Sequence, residues 1–111
     1  MSADSATSFY GVRYLIEDRD EIDDLDRLTH PILDLARKFR LRAYGGQYGI
    51  NNERFYLFVG ARLAALGAED APETAIPRAE LLRIMADVDD KLKRAGISEE
   101  PHLYCVYKFD Y

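Results

Sequence analysis

A single cysteine, Cys105, rules out an internal disulfide, and no Cys/His spacing around it suits zinc. A reducing, cytoplasmic setting is the expectation. Histidine is almost as scarce: only His30 and His102 could serve as the base beside a nucleophile. His102 and Cys105 lie three apart on an expected strand and point to opposite faces, so they do not pair locally. No apolar run approaches a membrane span. Met1 to Ser8 has neither the apolar core nor the cationic flank of a signal peptide and reads as a flexible tail. Positive charge is in deficit, with 15 Lys and Arg against 20 Asp and Glu, a net charge of -5. That balance argues against strong binding to nucleic acid or an anionic membrane, although a local basic patch can survive on an acidic protein.

Two motif-like stretches also fall short of chemistry. Gly45-Gly46-Gln47-Tyr48-Gly49 lacks the glycine spacing and the following helix of a phosphate loop. The carboxylates Asp18, Asp20, Glu21, Asp23, Asp24 and Asp26 have no calcium-loop spacing; at a helix start they complement the macrodipole and face water. Asp87, Asp89 and Asp90 read the same way. No catalytic group, metal-ligand set or cofactor is indicated, and Cys105 is expected in the core.

What the chain does contain is enough to fold. Hydrophobic residues make up 48% and charged residues 32% of its 111 residues, which suits one domain, expected over residues 9–111 after the 1–8 tail. Phe9 to Glu17 is rich in aromatic and β-branched residues and reads as a strand. Ile22, Leu25, Leu28, Ile32, Leu35 and Phe39 then recur at spacings of three and four, placing one apolar stripe on a helix. Pro31 kinks that helix or restarts it, with Thr29 as the cap of the second piece.

Leu41 to Ile50 and Phe55 to Val59 form a hairpin around Asn51-Asn52. Ala61 to Ile76 lacks sustained periodicity and reads as a strand end or short helix followed by a loop. Pro77 opens a second helix carrying Leu81, Met85, Val88, Leu92 and Ala95, and Gly96 stops it. Leu103 to Phe109 is the last strand. The order β, α, β, β, α, β predicts an α+β, ferredoxin-like fold: a four-stranded antiparallel sheet with two helices on one face.

That arrangement leaves one sheet face uncovered, and period two assigns its residues. Phe9, Gly11 and Arg13 belong to it from the first strand; Tyr44 and Tyr48 from the second; Arg54, Tyr56, Phe58 and Gly60 from the third; His102, Tyr104 and Lys108 from the last. A bulge near Gly45-Gly46 would reverse part of this. The candidate binding face is therefore Arg13, Tyr44, Tyr48, Arg54, Tyr56, Phe58 and Tyr104, an aromatic patch of a kind that usually marks a contact surface.

The leading expectation is a non-enzymatic association domain that uses this face to form a homo-oligomer or to meet a protein partner. The alternative is a small-molecule-binding domain or cofactor-independent enzyme of dimeric α+β barrel type, with Arg13 or Arg54 fixing a ligand. The third is single-stranded RNA. Arg54-Phe55-Tyr56-Leu57-Phe58-Val59 resembles, over six residues, the third-strand motif of RNA-recognition-motif domains. Bulky residues replace that motif's glycines and the first strand lacks its companion motif, so nucleic acid ranks last.

Overall fold

The structure is a computed structural model and describes residues 5–48, 54–67 and 73–108. The aromatic and β-branched segment forms β1, Ser5–Ile16. It begins four residues before the expected Phe9 because Ser5–Ser8 pairs with Ala64–Gly67 on one side and Cys105–Lys108 on the other. Residues 5–8 are thus strand and not tail; partners distant in sequence supply an order that their own composition does not.

Of the kink and the restart expected at Pro31, the structure has the restart: the amphipathic stretch is two helices, α1 (Arg19–Asp26) and α2 (Pro31–Lys38), which makes three helices among the described residues. The break lies at Leu28, whose φ of 61 is left-handed. The Thr29 amide donates to Asp24 O at 2.8 Å, closing α1 in a Schellman-type turn. Pro31, lacking an N–H, then starts α2 in its first turn. His30, not Thr29, caps α2: its Nδ1 accepts from the Ile32 amide at 3.1 Å. Thr29 instead donates its hydroxyl back to Asp24 O.

Two further strands follow, β2 (Arg42–Tyr48) and β3 (Arg54–Gly67), then α3 (Arg78–Arg94) and β4 (His102–Lys108). The expected turn at Asn51-Asn52 lies outside the described residues. The sheet is antiparallel throughout, in the order β2-β3-β1-β4. The β2–β3 register runs unbroken from Arg42 opposite Gly60 to Tyr48 opposite Arg54, so Gly45-Gly46 holds no bulge. The irregularity falls in β3, where the pairing moves from Phe9–Arg62 to Ser8–Ala64 and passes over Leu63.

All three helices pack on the face formed by Tyr10, Val12, Ile16, Leu57 and Val59. Leu25 of α1, Ala36 of α2, and Val88 and Leu92 of α3 fill the gap. Val12, Leu57 and Val59 are almost wholly buried. Each such aliphatic side chain contributes about 1.5–3 kcal/mol of transfer free energy. The Tyr10 hydroxyl donates to Asp89 Oδ1 at 2.7 Å and ties α3 to β1. Burial foremost, with that bond, pushes the Tyr10 phenol up to about 12. Tyr14 is raised to about 12 as well, by burial first and then by Glu99.

The helices do not cover edge strand β4. Leu103 and Tyr107, which share the helix-side parity, are exposed, and so is Cys105. Cys105 is therefore not a core residue; its Sγ lies 3.5 Å from Ser8 Oγ.

Candidate functional site

The site grows from a pair of glycines. Gly11 and Gly60 face one another across the two central strands with φ of 153 and 154. A Cβ on Gly60 would run into the Tyr10 carbonyl oxygen and come within 2.8 Å of Gly11 Cα; one on Gly11 would meet Val59 O and, at 2.9 Å, Gly60 Cα. Only glycine permits this approach.

The bare backbone there is roofed by rings from both sides. Phe9 stands opposite Arg62 and Phe58 opposite Arg13, so the two phenyl groups start four residues apart along β3, roughly 13 Å at strand spacing. Their centroids are nevertheless 4.4 Å apart and nearly parallel, at 12°. Both rings must lean over the glycine pair to meet. Tyr44 lies 5.2 Å from Phe9, while Tyr104 and Tyr56 lie 5.6 and 6.3 Å from Phe58. Phe9 and Phe58 are consequently only 4% and 1% exposed on a face that no described helix covers.

Above the rings sits a layer of arginine. The Arg13 guanidinium lies 4.3 Å from the Tyr56 centroid and 4.7 Å from that of Tyr104. Arg42 donates from Nε to the Tyr44 hydroxyl at 3.0 Å, and Arg54 from Nη1 to the Tyr56 hydroxyl at 3.4 Å. The bond to Tyr44 favours charged Arg42 and raises its pKa further. Arg62 reaches over Tyr44 at 5.7 Å. His102 joins the rim 5.8 Å from Tyr104.

The structure thus gathers Arg13, Tyr44, Arg54, Tyr56, Phe58 and Tyr104 on one face, and Tyr48 holds a strand position of the same parity opposite Arg54. Phe58 differs from the rest in lying beneath them as a floor. Arg42 and Arg62 also belong to the face and escaped the sequence reading. Arg62 continues the 54, 56, 58, 60 parity beyond the point where the strand was taken to end, and Arg42 precedes Tyr44 by two.

Charge separates the two sides of the sheet. Among the described residues, the strand positions of the uncovered face include Arg13, Arg42, Arg54 and Arg62 and no carboxylate. On the other side Asp20, Glu21, Asp23, Asp24 and Asp26 gather in α1, whereas α3 balances Glu80, Asp87, Asp89 and Asp90 with Arg78, Arg83, Lys91, Lys93 and Arg94. Clefts lie at the margins of the face. One of about 570 Å³ borders Leu15, Glu17 and Arg54 at one end of the sheet. Another, of about 250 Å³, lies between α3 and the strands beside Arg42 and Arg62.

Among the described residues, no three His, Cys, Asp or Glu side chains gather to hold a metal ion. No described helix is long and apolar enough to cross a membrane. No protein-family model, curated protein or solved structure matches the chain.

Proposed function

We propose that the chain is a ferredoxin-like βαββαβ domain acting as a non-enzymatic association module, and that a macromolecular partner docks on its uncovered sheet face. The ferredoxin-like arrangement is supported by the order β2-β3-β1-β4: β3 lies between the strands joined through α1 and α2, and β1 between those joined through α3. A cytoplasmic setting suits the exposed lone thiol of Cys105.

The observation that carries the association reading is a tier of tyrosine and arginine whose strand positions, among the described residues, include no carboxylate, on a chain of net negative charge. Tyrosine and arginine are, with tryptophan, enriched among the residues that carry binding energy at protein surfaces, and the buried, stacked rings of Phe9 and Phe58 support them from below. A face-to-face homodimer would set Arg13, Arg42, Arg54 and Arg62 against the same four of a second copy, and like charge disfavours it. For the small-molecule alternative, the clefts beside Leu15 and Arg54 and beside Arg42 and Arg62 lie at the margins of the face, and two more, of about 270 and 290 Å³, open on the helix side beside His30 and beside Leu28.

A photo-crosslinking residue placed singly at positions 56, 104 and 82 tests this reading in cells. Tyr56 and Tyr104 lie on the sheet face, while Leu82 is an exposed position on α3. Discrete adducts from positions 56 and 104 but not from 82 are expected. Adducts confined to position 82, or none at any position, would overturn it.

A further inference from the structure

Resting on the association reading, we propose that the occupant of the sheet face is a single-stranded nucleic acid. In this assignment phosphates pair with the outer guanidinium groups and bases stack on the Tyr44, Tyr56 and Tyr104 rings and on the Arg13 plane. Local charge complementarity is the first ground. The net charge of -5 counts against such a ligand, but among the described residues no carboxylate lies on the sheet strands, and Asp20, Glu21, Asp23, Asp24 and Asp26 gather in α1 on the far side of the sheet. A Debye length of about 10 Å at 0.1 M salt screens them from a ligand on the arginine side.

The second ground is the shape of the donors. An acidic peptide would answer the guanidinium charges and leave the rings unused. A nucleotide chain uses both, since every base has a π-face for tyrosine or arginine. Arg13, stacked over two tyrosines, is exposed and presents its outer plane to solvent. Phe9 and Phe58 are too deeply buried to take a base and serve as the floor. The face is built of strands, with no described helix projecting from it to enter a duplex groove, and so favours the single strand.

Fluorescence anisotropy with labelled oligouridylate and oligothymidylate tests this on the full chain, with polyglutamate as a probe of charge alone. Three phosphate contacts, at Arg42, Arg54 and Arg62, predict an affinity for single strands that falls roughly twenty-fold between about 50 and about 200 mM salt. Arg42→Gln and Arg62→Gln should each lower the salt slope by about 0.7. Tyr56→Leu, which keeps an apolar cover over Phe58, should weaken binding by roughly 5- to 150-fold and leave the slope unchanged. Arg13→Lys should keep the slope and lose affinity. Oligodeoxyuridylate, which keeps uracil and lacks only the 2′-hydroxyl of oligouridylate, tells RNA from DNA.

Absence of oligonucleotide binding at about 50 mM salt would overturn the proposal, as would binding that polyglutamate matches and Tyr56→Leu leaves intact. In either case protein adducts from positions 56 and 104 would preserve the association reading, whereas loss of those adducts as well would remove both.

Discussion

Replacing Gly60 with alanine puts the centre of the sheet under test. Gly60 has φ of 154, a conformation costing a side chain of order 1–3 kcal/mol. The new methyl group would also fall on the Tyr10 carbonyl and within 2.8 Å of Gly11 Cα, both backbone atoms that no rotamer change can move. β1 and β3 must separate locally, and the rings of Phe9 and Phe58 lose the surface over which they stack. We expect a total loss of ~3 kcal/mol or more, a large share of the ~5–15 kcal/mol that holds a typical domain together.

Urea denaturation followed by far-UV circular dichroism reads this directly. With a slope of ~1–3 kcal/mol per molar, the midpoint should fall by ~1–3 M. Gly96→Ala is the control: its φ of 76 is left-handed, but nothing lies within 4 Å of the added methyl. It should cost only ~1–2 kcal/mol, the strain of the left-handed conformation itself. Equal midpoints for the two variants would refute the close approach of the central strands and the ring roof built on it.

Three other expectations follow from the same structure. Leu28→Gly should stabilise the protein by ~0.5–1 kcal/mol, because Leu28 is left-handed at φ 61 and 67% exposed; a lower thermal midpoint would contradict this. His30→Ala should cost ~0.5–2 kcal/mol by removing the α2 cap, and Thr29→Ala less; the reverse order in urea would restore Thr29 as the cap. Because the folded state raises the Tyr10 and Tyr14 phenols to about 12 from 10.0, their stabilisation is complete below pH 10 and is lost as pH rises towards 12. Tyr10→Phe should be less stable at neutral pH and should lose less stability over that alkaline window, as read from urea midpoints against pH.

Much of the site was legible because β-strand parity is strict. Arg54 to Gly60 alternates without interruption, and with Arg13 and Tyr104 it assigns one face from sequence alone. For Ala61 onward the sequence left a strand end and a short helix open; the strand end is what forms, but its extent to Gly67 was not legible, since alanine and glycine have weak strand preference and Ala64–Gly67 takes its pairing from Ser5–Ser8, far along the chain. Nor was the depth of Phe9 and Phe58. Parity puts both on the uncovered side, but their burial depends on Gly11 lying directly opposite Gly60, a register that no local pattern reports.

The helix ends show the same limit. Gly96 announces its stop. Leu28 and Arg40 take the equivalent left-handed position without glycine, so the break between α1 and α2 carried only the proline as a signal. The grouping of charge was hidden in the composition, because summing over 111 residues merges the arginines of one sheet face with the acidic α1 on the other.

The most direct test of the central claim is an amide NMR titration of the folded protein with oligouridylate. The account predicts shift changes concentrated at Gly11, Arg13, Tyr44, Tyr56, Gly60 and Tyr104. Changes centred on α1 or α3, around Asp23 or Asp87, or no change at saturating oligonucleotide, would contradict it.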